Sequence, residues 1–355
     1  TGSTVGVTSG ALTTATATTM ALNLAGTTST GAVTLDADIT TVNIASATAA
    51  NTLASLSSSG ATAVNISGSQ NLTLTANTFA ATAAITSTST GNVTLGTAVA
   101  VGQTYTGGSG VDTLTTTTAS TKATTLGGGN DVITSDGVYG TGGSLDAGTG
   151  DDTIIMTAAQ AATATASTTF AGKVSGLETL SVGATGATAT ALNMTNADGM
   201  NIVTSAGFGA ALTITNAAAG FTFNQTALGS VASSIALGDV TGTSDTVNLG
   251  YSAAAGFDNS AAVTIAAVEI LNITTNDTAL TVTAPFVAQI TATSAVTVTV
   301  SGDAGFDTNG GLTATTLRTF DASGVTATGA GGAVTLATGD LAATATLTGG
   351  SGNDS

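Results

Sequence analysis

A three-residue strand unit recurs along the chain and limits its possible folds more than any other feature. Each unit holds Asn or Thr between two large apolar residues, so alternation puts both apolar side chains on one face of a short strand. In the first half, successive units start 11, 9, 22, 8 and 21 residues apart, close to one or two multiples of ten. The units are Leu22-Asn23-Leu24, Val33-Thr34-Leu35, Val42-Asn43-Ile44, Val64-Asn65-Ile66, Leu72-Thr73-Leu74, Val93-Thr94-Leu95, Leu192-Asn193-Met194, Leu212-Thr213-Ile214, Phe221-Thr222-Phe223, Val247-Asn248-Leu249, Val263-Thr264-Ile265, Leu271-Asn272-Ile273 and Leu280-Thr281-Val282.

Short strands at this spacing are compatible with a sandwich, a barrel or a solenoid. The solenoid is favoured because the strands are very short, their central residue is repeatedly Asn or Thr, and aromatic residues make up only 3% of the chain. In a solenoid, similar residues from successive coils stack on one another, so repetition itself stabilises the fold. We therefore predict an all-β chain that forms an irregular parallel β-solenoid (β-helix), with a short helix over residues 158–166.

Two longer segments, which contain the only two glutamates, are similar to each other in sequence. Gly176-Leu177-Glu178-Thr179-Leu180-Ser181-Val182 resembles Ala267-Val268-Glu269-Ile270-Leu271-Asn272-Ile273, which begins 91 residues later. This similarity predicts a recurring coil in which each glutamate accepts backbone or cation contacts at a turn.

Residues 105–156 differ from the rest of the chain because six of the 18 aspartates fall within 41 residues there. They follow the pattern G-G-x-G-x-D-x-U-x, in which U is a large aliphatic residue. One copy is complete, two lack the first glycine, and a fourth begins at residue 349. The pattern residues of the four copies are Gly107, Gly108, Ser109, Gly110 and Asp112; Leu126, Gly127, Gly128, Gly129 and Asp131; Ala147, Gly148, Thr149, Gly150, Asp151 and Asp152; and Gly349, Gly352 and Asp354.

Such turns have the chemistry of a calcium site. Glycines allow backbone angles that bring carbonyl oxygens inward, and the aspartate adds charged oxygen. Turns stacked on one edge of a β-roll would offer an all-oxygen shell, which suits Ca²⁺ better than Mg²⁺ or Zn²⁺. The predicted ligand set consists of these pattern residues together with Asp146, and with Asp245 from the degenerate copy 242–249.

Composition excludes several functions. Three cations, Lys122, Lys173 and Arg318, face 18 aspartates and two glutamates, so the net charge of −17 argues against nucleic-acid binding. No run of 18 apolar residues occurs, which argues against membrane insertion. The chain has no histidine and no cysteine, so it lacks the residues of a His-Glu-x-x-His zinc site, a Ser-His-Asp triad or a thiol nucleophile. A glycosidase carboxylate pair remains conceivable, but the aromatics that hold sugars are scarce. We predict that the chain is not an enzyme.

These observations divide the chain into four parts. A Thr/Ala-rich β-solenoid over residues 1–104 is interrupted by the calcium-binding segment 105–156. A second Thr/Ala-rich β-solenoid covers residues 157–348, and residues 349–355 begin a further, truncated repeat. The chain begins and ends within its repeating pattern, so we expect it to be a fragment of a longer protein.

The Gly-Asp repeats resemble those of the repeat-in-toxin (RTX) family of type I secreted proteins. The larger pattern, including GLETLSV, TGTSDTVNL and VEILNI, is similar to bacterial surface-layer (S-layer) proteins of the Caulobacter type. The resemblance implies an extracellular protein in which calcium folds the chain and joins its copies into a two-dimensional lattice on a Gram-negative cell. It also implies lipopolysaccharide attachment through an N-terminal region that is not present here.

An RTX-type adhesin is the alternative, because it would use the same scaffold. An ice-binding adhesin would need flat threonine rows at one fixed period. Thr-x-Thr rows occur at Thr297-Val298-Thr299 and Thr344-Ala345-Thr346, but their period drifts. Assembly separates the two functions, because a lattice protein forms ordered sheets with calcium whereas an adhesin stays dispersed.

Overall fold

The computed structural model is a parallel β-solenoid of about 14 turns, with 51% of residues in strands and 5% in helices. It describes residues 5–7, 18–186, 188–254, 256, 258–279, 284–308, 311–339, 341 and 344–355. The predicted all-β solenoid is therefore confirmed. Of the thirteen strand units, Leu280-Thr281-Val282 lies outside the described residues, and Leu192-Asn193-Met194 runs from a strand into a 3-10 turn at Met194–Asn196.

The chain divides into two compact units, and the first consists of residues 1–155 and 168–178. Its strands pair in parallel in two sheets. One sheet contains β1, β3, β5, β7, β8, β10, β12, β14 and β16, and the other contains β2, β4, β6, β9, β11, β13, β15 and β17. The strands are β1 (Val5–Val7), β2 (Thr18–Ala25), β3 (Thr28–Leu35), β4 (Ile39–Ala47), β5 (Asn51–Ser58), β6 (Ala63–Gly68), β7 (Leu72–Leu74), β8 (Asn77–Phe79), β9 (Ala84–Ser87), β10 (Val93–Leu95), β11 (Thr104–Thr106), β12 (Asp112–Thr115), β13 (Ala123–Thr125), β14 (Val132–Thr134), β15 (Ser144–Asp146), β16 (Thr153–Met156, with Met156 in the second unit) and β17 (Val174–Ser175).

The second unit consists of residues 156–167 and 179–355. It also has two parallel sheets, one made of β18, β20, β22, β24, β26, β28, β31 and β33, and the other of the remaining strands. The strands are β18 (Thr179–Val182), β19 (Thr190–Asn193), β20 (Ile202–Ser205), β21 (Leu212–Ala217), β22 (Phe221–Gln225), β23 (Ser233–Leu237), β24 (Thr246–Ala253), β25 (Asp258–Ala266), β26 (Ile270–Asp277), β27 (Phe286–Thr291), β28 (Thr297–Gly302), β29 (Phe306–Asp307), β30 (Leu312–Thr313), β31 (Thr319–Val325), β32 (Val334–Thr335) and β33 (Thr346–Thr348).

The core consists of columns of apolar side chains, one residue from each coil. Val42 pairs with Val64, which pairs with Ile85, and all three are at most 1% exposed. The alternate residues face outward and form polar ladders, such as Asn65, whose Nδ2 donates to Asn43 Oδ1 at 2.8 Å. Each thin coil thus gains its apolar burial from its neighbours, as the strand units predict.

The predicted short helix is confirmed as α1 (Ala158–Thr165). Thr157 caps it, because its Oγ1 accepts a hydrogen bond from the Gln160 backbone and its backbone N–H donates to Gln160 Oε1. A single further turn, α2 (Thr168–Ala171), belongs to the first unit and was not predicted. No helix among the described residues is long and apolar enough to span a membrane.

Candidate metal centre

The three glycine-rich turns of residues 107–112, 126–131 and 147–152 stack in the predicted register. Gly128 N donates to Gly108 O at 2.9 Å, and Thr149 N donates to Gly127 O at 3.0 Å. On the core side, the aliphatic residues two places after each aspartate, Leu114, Ile133 and Ile154, pair in succession and are buried. Backbone hydrogen bonds therefore align the repeats just as the sequence pattern aligns them.

Glycine at the first pattern position leaves room for the aspartate at the sixth. A Cβ atom on Gly107 would lie 2.1 Å from Asp112 Oδ2, and one on Gly349 would lie 2.2 Å from Asp354 Oδ2. The second and third copies carry Leu126 and Ala147 at this position, and both side chains are buried in the core. The two departures from the pattern are thus accommodated by turning the side chain inward.

Three aspartates and one glutamate form a line along the stack, which we call the carboxylate row (Asp112, Asp131, Asp152 and Glu178). Asp112 N donates to Asp131 Oδ1 at 2.7 Å, and Asp131 N donates to Asp152 Oδ1 at 2.7 Å. Asp152 N donates to Glu178 Oε2, also at 2.7 Å. The carboxylates of Asp131, Asp152 and Glu178 thus each accept the backbone N–H of the acidic residue one coil earlier, and Asp112 begins the row.

The second oxygen of each aspartate in the row lacks a protein partner. Asp112 is 1% exposed, Asp131 and Asp152 are 0% exposed, and the Oδ2 atom of each makes no hydrogen bond. A buried, unpartnered carboxylate oxygen is strongly unfavourable unless a proton or a cation satisfies it. Three such oxygens lie on successive coils, where either protons or cations would satisfy them.

The protonation of the row follows from its burial. Burial raises the pKa of Asp112 to about 7, and the neighbouring charge of Asp131 adds to the rise. Burial likewise raises the pKa of Asp131 to about 6, with a contribution from Asp152. The pKa of Asp152 is raised by burial and then by the charges of Glu178 and Asp151. Each of these shifts disfavours the anion, first because the carboxylates are buried and then because they lie beside other negative charges.

Tyr105 faces the start of the row and was not predicted to belong to the site. It is 1% exposed in the column that continues from Ile85, and its hydroxyl lies near Asp112 without the geometry of a formed hydrogen bond. Burial, and then the charge of Asp112, raises the pKa of Tyr105 above its ordinary value. The sequence feature that could have revealed this contact is the hydroxyl of Tyr105, which occupies a core-facing position in the coil just before Asp112.

Two predicted ligands do not join the row. Asp146 is exposed, and its Oδ1 accepts a hydrogen bond from Ser175 Oγ at 3.1 Å. Asp151 is also exposed, and its backbone N–H donates to Asn130 Oδ1. Both carboxylates therefore lie at the solvent-facing side of the stack.

Two further predicted ligands lie in the second unit and repeat parts of this arrangement. Asp245 N donates to Glu269 Oε2 at 3.0 Å, and Asp245 Oδ2 is buried without a partner. Asp354 is exposed, and its Oδ1 accepts the N–H of Val334 at 2.9 Å. The last copy of the pattern thus adopts the carboxylate-to-backbone contact of the row, but the N–H donor is Val334 and not an acidic residue.

Both glutamates accept backbone N–H groups at turns, as predicted from the similarity of the two segments 91 residues apart. Among the described residues, no three acidic side chains converge on one point. A cation in the row would therefore depend on carbonyl oxygens as well as carboxylates, which is how Ca²⁺ is commonly held in proteins. Comparison of the chain with known protein families and with curated proteins finds no match.

Proposed function

We propose that this chain is a calcium-binding structural segment of a secreted surface protein and that it has no enzymatic activity. The observation that carries the proposal is the row of buried aspartates, each with one oxygen that the protein leaves unpartnered. All groups near these oxygens that could bind a metal are themselves oxygens, which favours Ca²⁺ over softer metals. The ligands would be the aspartates of the carboxylate row and the carbonyl oxygens of the glycine turns.

Calcium would act on folding. Without it, the row places negative charges on successive coils in a buried setting, and the coils repel each other. With it, the same charges attract a shared cation and hold the turns together. Each site is expected to be weak, on the order of 10⁻⁴–10⁻³ M, as in extracellular calcium modules.

The proposed assembly is an S-layer lattice on the surface of a Gram-negative cell, joined by calcium between copies. This part of the proposal rests on the family resemblance of the sequence together with the solenoid fold, which suits extended repetitive material. An RTX-type adhesin on the same scaffold is the alternative. Its ice-binding form is not favoured, because the outward column Thr222, Asn248, Asn272, Thr299 and Asp321 mixes side chains that an ice-binding face would keep uniform.

The calcium proposal is tested by Asp131→Asn, which removes a charge while keeping an oxygen that can accept the Asp112 N–H. In chelator, the variant should melt at a higher temperature than the wild type, because a buried unpaired charge is gone. In millimolar calcium, it should melt at a lower temperature, because a ligand is gone. Thermal unfolding followed by circular dichroism measures both.

Asp146→Asn is the matched control, since it removes the same charge from an exposed position in the same segment. It should behave like the wild type in both conditions. A wild-type melting temperature that does not change between chelator and calcium would refute the proposal.

A further inference from the structure

The chain has two glutamates, and both occupy the same structural position. Glu178 Oε2 accepts the Asp152 N–H at 2.7 Å, and Glu178 N donates to Asp152 O at 3.1 Å. Glu269 Oε2 accepts the Asp245 N–H at 3.0 Å, and Glu269 N donates to Asp245 O at 3.1 Å. Each unit of the molecule therefore contains one Asp–Glu pair joined by the same two hydrogen bonds.

The turns that lead into the two glutamates are also alike. Gly176 has φ of +70° and Ala267 has φ of +53°, so the residue two places before each glutamate has a left-handed backbone conformation. Leu177 and Val268 follow and are 3% and 1% exposed. The arrangement is thus built twice, 91 residues apart, from different residues at the left-handed position.

The glutamate side chain takes the place that the next aspartate takes within the row. Between two aspartates, the contacts come from two residues: Asp152 Oδ1 accepts the Asp131 N–H, and Thr153 N donates to Asp131 O. At Glu178, one residue makes both contacts with Asp152. The extra methylene allows this, because the glutamate carboxylate can fold back past its own backbone N–H.

Asp152 has an unpartnered oxygen although no glycine-rich repeat follows it. Its side chain is 0% exposed, and its Oδ2 has no hydrogen-bond partner. Asp245 is only half-buried, but its Oδ2 atom is likewise buried without a hydrogen-bond partner, beside Glu269. A cation held on one side by the aspartate and on the other by the glutamate would satisfy these oxygens.

We infer that Glu178 and Glu269 are cation ligands that close sites with Asp152 and Asp245, respectively. The inference rests on the proposed function, since it takes the ion to be Ca²⁺. It adds two sites that the glycine-aspartate pattern does not contain. In the first unit the site ends the carboxylate row, and in the second it is formed by the single pair of Asp245 and Glu269.

The experiment counts bound calcium per chain by equilibrium dialysis with elemental analysis, using the wild type, Glu178→Gln and Glu269→Gln. Glutamine keeps an oxygen that can accept the aspartate N–H, so the fold should survive while the charge is lost. Each variant should hold about one calcium ion fewer than the wild type at calcium concentrations near 1 mM. Asp146→Asn should hold as many ions as the wild type.

Thermal unfolding separates ligation from a purely structural role. In chelator, neither glutamine variant should be less stable than the wild type, whereas in calcium both should be less stable. A loss of stability that is equal in chelator and in calcium would assign the glutamates a structural role only and would overturn the inference.

The two proposals fail differently. Wild-type protein that binds no calcium overturns both. Wild-type protein that binds calcium, with both glutamine variants retaining its full count and affinity, overturns only the assignment of Glu178 and Glu269.

Discussion

At the scale of single residues, the site arises where one core column changes from aliphatic to acidic. Leu72 pairs with Val93, and Val93 pairs with Asp112, so the first aspartate follows two buried aliphatic residues in the same column. The Val93 N–H donates to a backbone carbonyl, that of Val111, whereas the Asp112 N–H donates to the Asp131 carboxylate. A buried column therefore carries charge from this coil onward, and its stability depends on what neutralises that charge.

The first prediction concerns the pH dependence of stability in chelator. The pKa values of Asp112 and Asp131 are raised in the folded chain to about 7 and about 6, from an ordinary value of 3.8. The folded chain thus binds protons more tightly than the unfolded chain, so the stabilisation is complete below about pH 4 and is lost as pH rises through 6 and 7. The melting temperature in chelator should therefore fall across this range.

Calcium should reverse this trend, because protons compete with the cation for the same oxygens. The melting temperature in millimolar calcium should rise between pH 5 and pH 7. The double variant Asp112→Asn/Asp131→Asn should show a flatter profile than the wild type in chelator. Identical profiles for the variant and the wild type would show that the row does not control the pH dependence.

At the scale of elements, the residue two places before each glutamate has a left-handed backbone conformation and offers a test of whether the two turns are equivalent. Ala267 holds φ of +53°, which costs an alanine about 1 kcal/mol relative to glycine, whereas Gly176 is already glycine at φ of +70°. Ala267→Gly should therefore raise the melting temperature of the second unit by about 2–4 °C.

Gly176→Ala is the reciprocal variant and should lower the melting temperature. Its Cβ would lie 2.7 Å from the Gly148 backbone nitrogen, so the strain includes a clash as well as the backbone conformation. Calorimetry in calcium measures the melting temperatures of both variants. Opposite signs support equivalent turns, and a destabilised Ala267→Gly variant would contradict them.

The sequence predicted these elements unevenly, for physical reasons. Strand units and glycine turns were predictable because both are local patterns, and the register of 107–112 on 126–131 follows from their repetition. The solvent-facing positions of Asp146 and Asp151 were not predictable, since they depend on which way each side chain leaves a turn. The approach of Tyr105 to Asp112 was missed because it crosses the core between two sheets. The backbone contacts of the glutamates were predicted from the similarity of the two segments, but their pairing with Asp152 and Asp245 was not, since it joins residues 26 and 24 positions apart on neighbouring coils.

At the scale of the whole molecule, charge is the dominant constraint on association. The net charge is −17, and the chain has three cationic side chains. One of them, Lys173, donates to the carbonyl oxygens of Gly140 and Gly143 at 2.8 and 3.1 Å. Like-charged copies of the chain repel each other in water, so an ordered assembly requires a counterion that binds at defined places.

The last prediction is that the purified protein forms periodic sheets in calcium and disperses in chelator. Negative-stain electron microscopy at about 1 mM calcium, within the range of extracellular calcium modules, would show the order directly. Sodium chloride at matched ionic strength controls for simple screening, which weakens repulsion between exposed charges without binding at particular sites. Magnesium at the same concentration controls for valence, because its strict octahedral geometry suits the carbonyl-rich turns poorly. Sheets that form in calcium and not in these controls would support a lattice, and single particles under every condition would favour the adhesin instead.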